Sequence, residues 1–75
     1  MNEFEKQYNE HGMYNEIWEL KSDDNIYIEE INELNKKVYL VHNHRTNQTF
    51  PLGKFYKSLK VAMNKALQIY KKENK

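Results

Sequence analysis

The sequence predicts an α+β domain: a three- or four-stranded antiparallel meander packed on a long C-terminal helix, with a short N-terminal helix. Two observations carry most of this. Between Lys54 and Lys72 the apolar residues Phe55, Leu59, Ala62, Met63, Ala66, Ile69 and Tyr70 recur at three-and-four spacing, and apart from Gly53 just ahead of it no Pro or Gly interrupts the run. Upstream, short stretches rich in Ile, Val, Tyr and Trp alternate with polar clusters that read as turns. At 75 residues the chain makes one domain, 1–75. A domain this small buries only about 60% of its unfolded surface, so a partner or a second copy would add useful stability.

The elements follow in order. Asn2 is placed to cap a first helix, Glu5 stands three residues on, Phe4 and Tyr8 are one turn apart, and Gly12 offers a stop. Tyr14 to Leu20 reads as a strand, with Tyr14, Trp18 and Leu20 on one face and Ile17 and Glu19 on the other. Ser22 to Asn25 is a turn. Ile26 to Ile31 is β-branched and reads as a strand with a bulge near Glu29-Glu30. A helix over Asp24–Leu34 competes, since Ile28, Ile31 and Leu34 sit three apart. Asn32 to Lys37 suits a hairpin connection into a strand at Val38–His42, and Gln48 to Phe50 is a short fourth strand ended by Pro51.

Charge is segregated along the chain. Residues 1–35 carry ten acids and two bases, residues 36–75 ten bases and one acid, so halves of −8 and +9 hide in a total of +1. That asymmetry points to charged partners. The first candidate surface is acidic: Glu16, Glu19, Glu29 and Glu30, with Tyr27 and Tyr39 expected on the face opposite Ile26, Ile28, Val38 and Leu40 as an exposed cross-strand aromatic pair. Spaced carboxylates of this kind suit a basic groove, as a nucleic-acid mimic does, or the lysines of a second copy. The second candidate is the lysine face of the C-terminal helix, Lys54, Lys57, Lys60, Lys71 and Lys72, which would meet a phosphate backbone or simply face water. Lysine predominates over the single Arg45, and planar phosphate and base recognition recruits arginine more often.

Catalytic chemistry finds little here. With no cysteine there is neither a disulfide nor a thiolate ligand, and two glycines make no phosphate-cradling loop. His42 and His44 could share a strand face and hold a metal, but a third ligand is lacking beyond remote His11 or a carboxylate. No cofactor, no metal and no enzyme activity are expected. Met1 is followed by Asn2, Glu3 and Glu5, so no signal peptide is expected, and no apolar run reaches the roughly 20 residues of a membrane span. A cytoplasmic protein is expected.

The segment Phe50-Pro51-Leu52-Gly53-Lys54-Phe55, followed by Ser58-Leu59-Lys60-Val61-Ala62-Met63-Asn64-Lys65-Ala66, resembles the end of many small phage and mobile-element proteins of low-GC bacteria. Met63 stands where such helices often carry Trp. Asn, Lys, Ile and Tyr, whose codons are AT-rich, make 32 of the 75 residues and agree with such a source. The resemblance implies the genomic neighbourhood of anti-CRISPR and other anti-defence inhibitors. The leading expectation is a non-enzymatic inhibitor or adaptor that binds a host nucleic-acid-handling protein. The alternatives are direct DNA or RNA binding through the lysines and a self-associating homodimer.

Overall fold

The computed structural model describes residues 3–7 and 16–74. Five strands and one helix follow one another: β1 (Phe4–Gln7), β2 (Glu16–Leu20), β3 (Asp23–Glu33), β4 (Lys36–Asn43), β5 (Gln48–Phe50) and α1 (Leu59–Glu73). The strands form one antiparallel sheet in the order β1-β2-β3-β4-β5, so every sheet neighbour is also a sequence neighbour. The α+β class therefore holds, and the meander has five strands where three or four were expected.

The extra strand replaces the N-terminal helix. Phe4 to Gln7 pairs with β2 through Phe4↔Leu20 and Lys6↔Trp18, which turns Phe4 and Lys6 to the same face. The one-turn spacing of Phe4 and Tyr8 predicted a helix, but a run of about ten residues is too short to be a stable helix by itself, and over Phe4–Gln7 pairing with β2 satisfies the backbone instead. Asn2, Tyr8, His11, Gly12 and Tyr14 lie outside the described residues. Ile26 to Ile31 is strand throughout, which rejects the competing helix over 24–34. Its register against β4 runs unbroken from Ile26↔Asn43 to Glu33↔Lys36, so no bulge sits at Glu29-Glu30. The irregularity lies one strand earlier, between Glu19 and Leu20, where β2 turns into β3.

The connections carry their own chemistry. Leu34 and Asn35 join β3 to β4 with positive φ at both positions, as a two-residue type I′ hairpin requires. Between β4 and β5, the Asn43 side chain accepts from the Arg45 N–H at 3.1 Å, and Asn47 takes the left-handed conformation. After β5 the chain turns at Pro51 to Lys54, with Gly53 at φ 71, a value that suits glycine although nothing crowds its missing Cβ.

The helix starts later than its apolar periodicity predicted. Tyr56 exchanges both backbone hydrogen bonds with Tyr39 at 2.8 Å, an isolated bridge to β4, and residues 54–57 stay outside the helix. Ser58 takes an extended N-cap conformation and α1 begins at Leu59. Phe55 is consequently exposed instead of joining the stripe. The helix packs on β3 and β4, and the core is Leu20, Ile26, Ile28, Tyr39 and Val41 against Ala62, Ala66 and Ile69. Small Ala62 and Ala66 let the helix approach the sheet closely, and Phe4, Trp18, Phe50, Leu59, Met63 and Tyr70 close the margin. No described helix is long and apolar enough to cross a membrane.

Candidate binding surfaces

The β3–β4 register decides which predicted site residues meet. Every pair in it joins an odd to an even residue, Tyr27↔His42 and Glu30↔Tyr39 among them. Tyr27 and Tyr39 therefore point to opposite faces and form no cross-strand pair. A register differing by one residue would have put them together, since such a slip exchanges the faces of an entire strand. Tyr39 is buried under the helix layer, and burial together with nearby Glu30 raises its phenol pKa. The expected acidic surface splits in the same way. Glu16 and Glu30 lie on the helix side with Tyr39, whereas Glu19, Tyr27 and Glu29 lie on the other side.

On the helix side, Glu16 and Glu30 are direct cross-strand neighbours, a like-charge arrangement that needs compensation. Lys6 lies 2.8 Å from Glu16 and Lys37 lies 3.8 Å from Glu30. The Lys6 hydrogen bond holds the Glu16 carboxyl below its ordinary range. Lys6 also sits 5.1 Å from the Trp18 ring. The Trp18 Nε1–H is buried without an acceptor among the described residues. These two carboxylates serve an internal ion cluster and are poor candidates for a contact surface.

The other face is different. No described element packs over it. Its cross-strand rows place Gln7, Ile17, Glu29 and Leu40 side by side, then Glu5, Glu19, Tyr27, His42 and Thr49, with Ile31 and Val38 beyond. Ile17, Tyr27, Ile31, Val38 and Leu40 are all partly exposed. Antiparallel sheets with one solvated face ordinarily alternate apolar-in with polar-out, so five large apolar side chains on the outer face depart from that pattern. Glu5, Glu19, Glu29 and Glu33 share the face, with Lys36 at its hairpin end.

His42 is the hinge of this surface. One ring nitrogen lies 2.8 Å from Glu29 Oε1 and the other 3.1 Å from Thr49 Oγ, while Tyr27 stacks on the ring at 4.9 Å between centroids. A neutral imidazole satisfies both contacts, donating from Nε2 and accepting the Thr49 hydroxyl at Nδ1. The set ties β3, β4 and β5 together and presents a rigid aromatic pair. His44 is not beside it: it is exposed in the β4–β5 turn. Among the described residues no cluster of three potential ligands could hold a metal.

The lysine surface is also divided. Lys60, Lys71 and Lys72 are on α1, but Lys54 and Lys57 are on the preceding loop. Lys71 and Lys72 stand in the last turn, where the helix dipole favours cations. Sequence reasoning missed the ion network at that end. Arg45 Nη1 donates to Glu73 Oε1 at 2.7 Å and its Nη2 lies 2.9 Å from Asp23 Oδ2, while Asn43 Nδ2 donates to Glu73 Oε2 at 2.7 Å. Burial works against ionisation of Asp23, but hydrogen bonds from Asn25 and Arg45 outweigh it and hold its carboxyl below the ordinary value. The only sequence signal was that Glu73 is the lone acid of the second half and Arg45 the lone arginine.

Compared with family models, curated proteins and solved structures, the chain matches none.

Proposed function

We propose that this is a non-enzymatic binding protein that docks onto a basic protein surface with an apolar groove, through the sheet face over which no described element packs. The observation that carries the reading is the composition of that face: Ile17, Tyr27, Ile31, Val38 and Leu40 partly exposed, with glutamates around them. Apolar area supplies affinity, and the acidic rim supplies steering and selects a cationic partner. The stacked Tyr27–His42 pair is a preorganised anchor that costs little entropy on binding. The resemblance of the C-terminal third to small phage and mobile-element proteins narrows the partner. A basic groove is the common feature of host nucleic-acid-handling proteins, so the role is an inhibitor or adaptor of phage type, with anti-defence function as its natural setting. Glu16, Glu30 and Tyr39 drop out of the contact set, because their positions commit them to the helix side.

Direct nucleic-acid binding through Lys54, Lys57, Lys60, Lys71 and Lys72 is the second reading. It loses coherence because two of these lysines leave the helix.

The test is capture from nuclease-treated lysate of a low-GC bacterium with three baits: wild type, Leu40→Lys, and Lys60→Glu/Lys71→Glu. The expected result is a discrete basic protein retained by wild type and by the double helix variant, and lost with Leu40→Lys. Retention by Leu40→Lys and loss with the helix variant would overturn the assignment of the face. Loss of all capture on nuclease treatment would move the function to nucleic acid.

A further inference from the structure

On the side of the molecule away from the proposed docking face, a cleft of about 670 Å³ runs between β5 and the second half of α1. Its size falls within the range of about 300–1,000 Å³ usual for small-ligand sites. The floor is Phe50 and Ile69, and the rim is Gln48 on the strand with Lys65, Gln68 and Lys72 on the helix. These three helix residues are spaced by three and four, so they form one stripe facing β5, with the two ammonium groups' attachment points about 10 Å apart.

The charge in the cleft is cationic for a structural reason. Glu73 also lines it, but both of its oxygens are taken, one by Arg45 and one by Asn43. Lys65 has no carboxylate partner in the described structure: its Nζ sits 4.7 Å from the centre of the Phe50 ring. Lys72 is exposed in the last turn of the helix. An aromatic floor, two amide side chains and two lysines flanking them select one kind of ligand: a flat heterocycle that stacks, offers hydrogen-bonding edges and carries phosphate.

We infer that this cleft binds a nucleotide. The base enters over Phe50 as Lys65 swings away from the ring. The side-chain amides of Gln48 and Gln68 meet the base edge. Lys65 and Lys72 take the phosphate as point charges. A free nucleotide and a nucleotide within a single strand offer the same chemistry. A strand offers successive phosphates, so that each lysine can engage its own. This site is independent of the docking face, and either can fail without the other.

The experiment is titration of 15N-labelled full-length protein with UMP, AMP and the single-stranded tetranucleotides dT4 and rU4 at low salt, read from amide shifts and repeated with variants. The expected result is shifts confined to the neighbourhood of residues 48–50 and 65–72, with the tetranucleotides binding more tightly than the mononucleotides. Affinity should fall about ten-fold in Lys65→Gln and in Phe50→Leu, while Lys60→Gln on the outer helix face and Leu40→Lys on the opposite side of the sheet leave it unchanged. Equal affinity for UMP and dT4 would assign the site to free nucleotides. Absence of shifts at millimolar ligand in the wild-type protein would overturn the proposal, as would an equal loss in Lys60→Gln, which marks diffuse charge attraction. Lys65→Gln keeps the test valid should Phe50→Leu disturb the core, because Lys65 contributes no buried apolar side chain.

Discussion

The two faces of the sheet are made from the same strands, often from consecutive residues, yet they are finished to different standards. Under the helix, Ile26, Ile28 and Val41 are fully buried, and the polar residues admitted there, Glu30 and Asn43, have partners. On the outer face, Tyr27, Leu40 and Ile31 remain partly in water and share space with glutamates. Among the described residues a single helix of 15 residues covers one face of the five-stranded sheet, and no described element covers the other. Stability is concentrated on one side and the proposed recognition chemistry lies on the other, so the proposal makes the two separable by substitution.

The sharpest way to break the comparison is to truncate neighbours that point in opposite directions. Ile28→Ala removes a side chain at 0% exposure and should cost about 2–5 kcal/mol, enough to leave a domain of this size largely unfolded. Leu40→Ala, one pairing row away on β4, should cost less than about 1.5 kcal/mol because its side chain is only partly withdrawn from water. Urea denaturation followed by the emission of Trp18, the sole tryptophan, measures both. Similar losses for the two would mean that the outer face is packed as tightly as the core, and the docking surface would disappear.

The next effect concerns the helix terminus. Asn43 is 1% exposed and donates to Glu73, so Glu73→Ala leaves a buried amide short of an acceptor and should cost about 1–3 kcal/mol. The network adds a pH signature through Asp23, whose carboxyl titrates below its ordinary value. A depressed folded-state value gives stability that is complete above the unfolded carboxylate value and is lost as pH falls from there, below about pH 4, towards the lower folded-state value. Asp23→Asn should therefore flatten the fall in stability below about pH 4 while lowering stability at pH 7. An unchanged acid limb in Asp23→Asn would show that the Arg45 bridge does not couple to folding.

Legibility followed the range of the interactions. Local patterns were readable: the alternation of Val38 to His42, the turn before it and the helical stripe from Leu59 onward all appear where the periodicity put them. Features set by pairing were not. Phe4 and Tyr8 fit a helix as well as a strand until β2 is known to lie beside Phe4. Residues 54–57 continue a helical pattern that loses to the Tyr39–Tyr56 backbone pairing. The candidate acidic surface was half legible: composition named its carboxylates, and only the odd–even register of β3 and β4 could assign them to faces. Arg45 escaped because its partners are 22 and 28 residues away in sequence.

The smallest predicted effect is a gain. Leu34 holds the first position of the β3–β4 turn at φ 49 and is 88% exposed, so it accepts a left-handed backbone and leaves an apolar side chain in water. Left-handed geometry costs a β-carbon-bearing residue about 1–2 kcal/mol, and Asn tolerates it better because its amide bonds locally to the backbone. Leu34→Asn should therefore stabilise the domain by about 0.5–1 kcal/mol, seen as a higher urea midpoint with the m-value unchanged. A loss of stability instead would mean that Leu34 contacts the protein in solution and belongs to the folding unit. A gain accompanied by weaker partner capture would extend the recognition face to the hairpin tip, where the fold accepts strain in exchange for an exposed leucine.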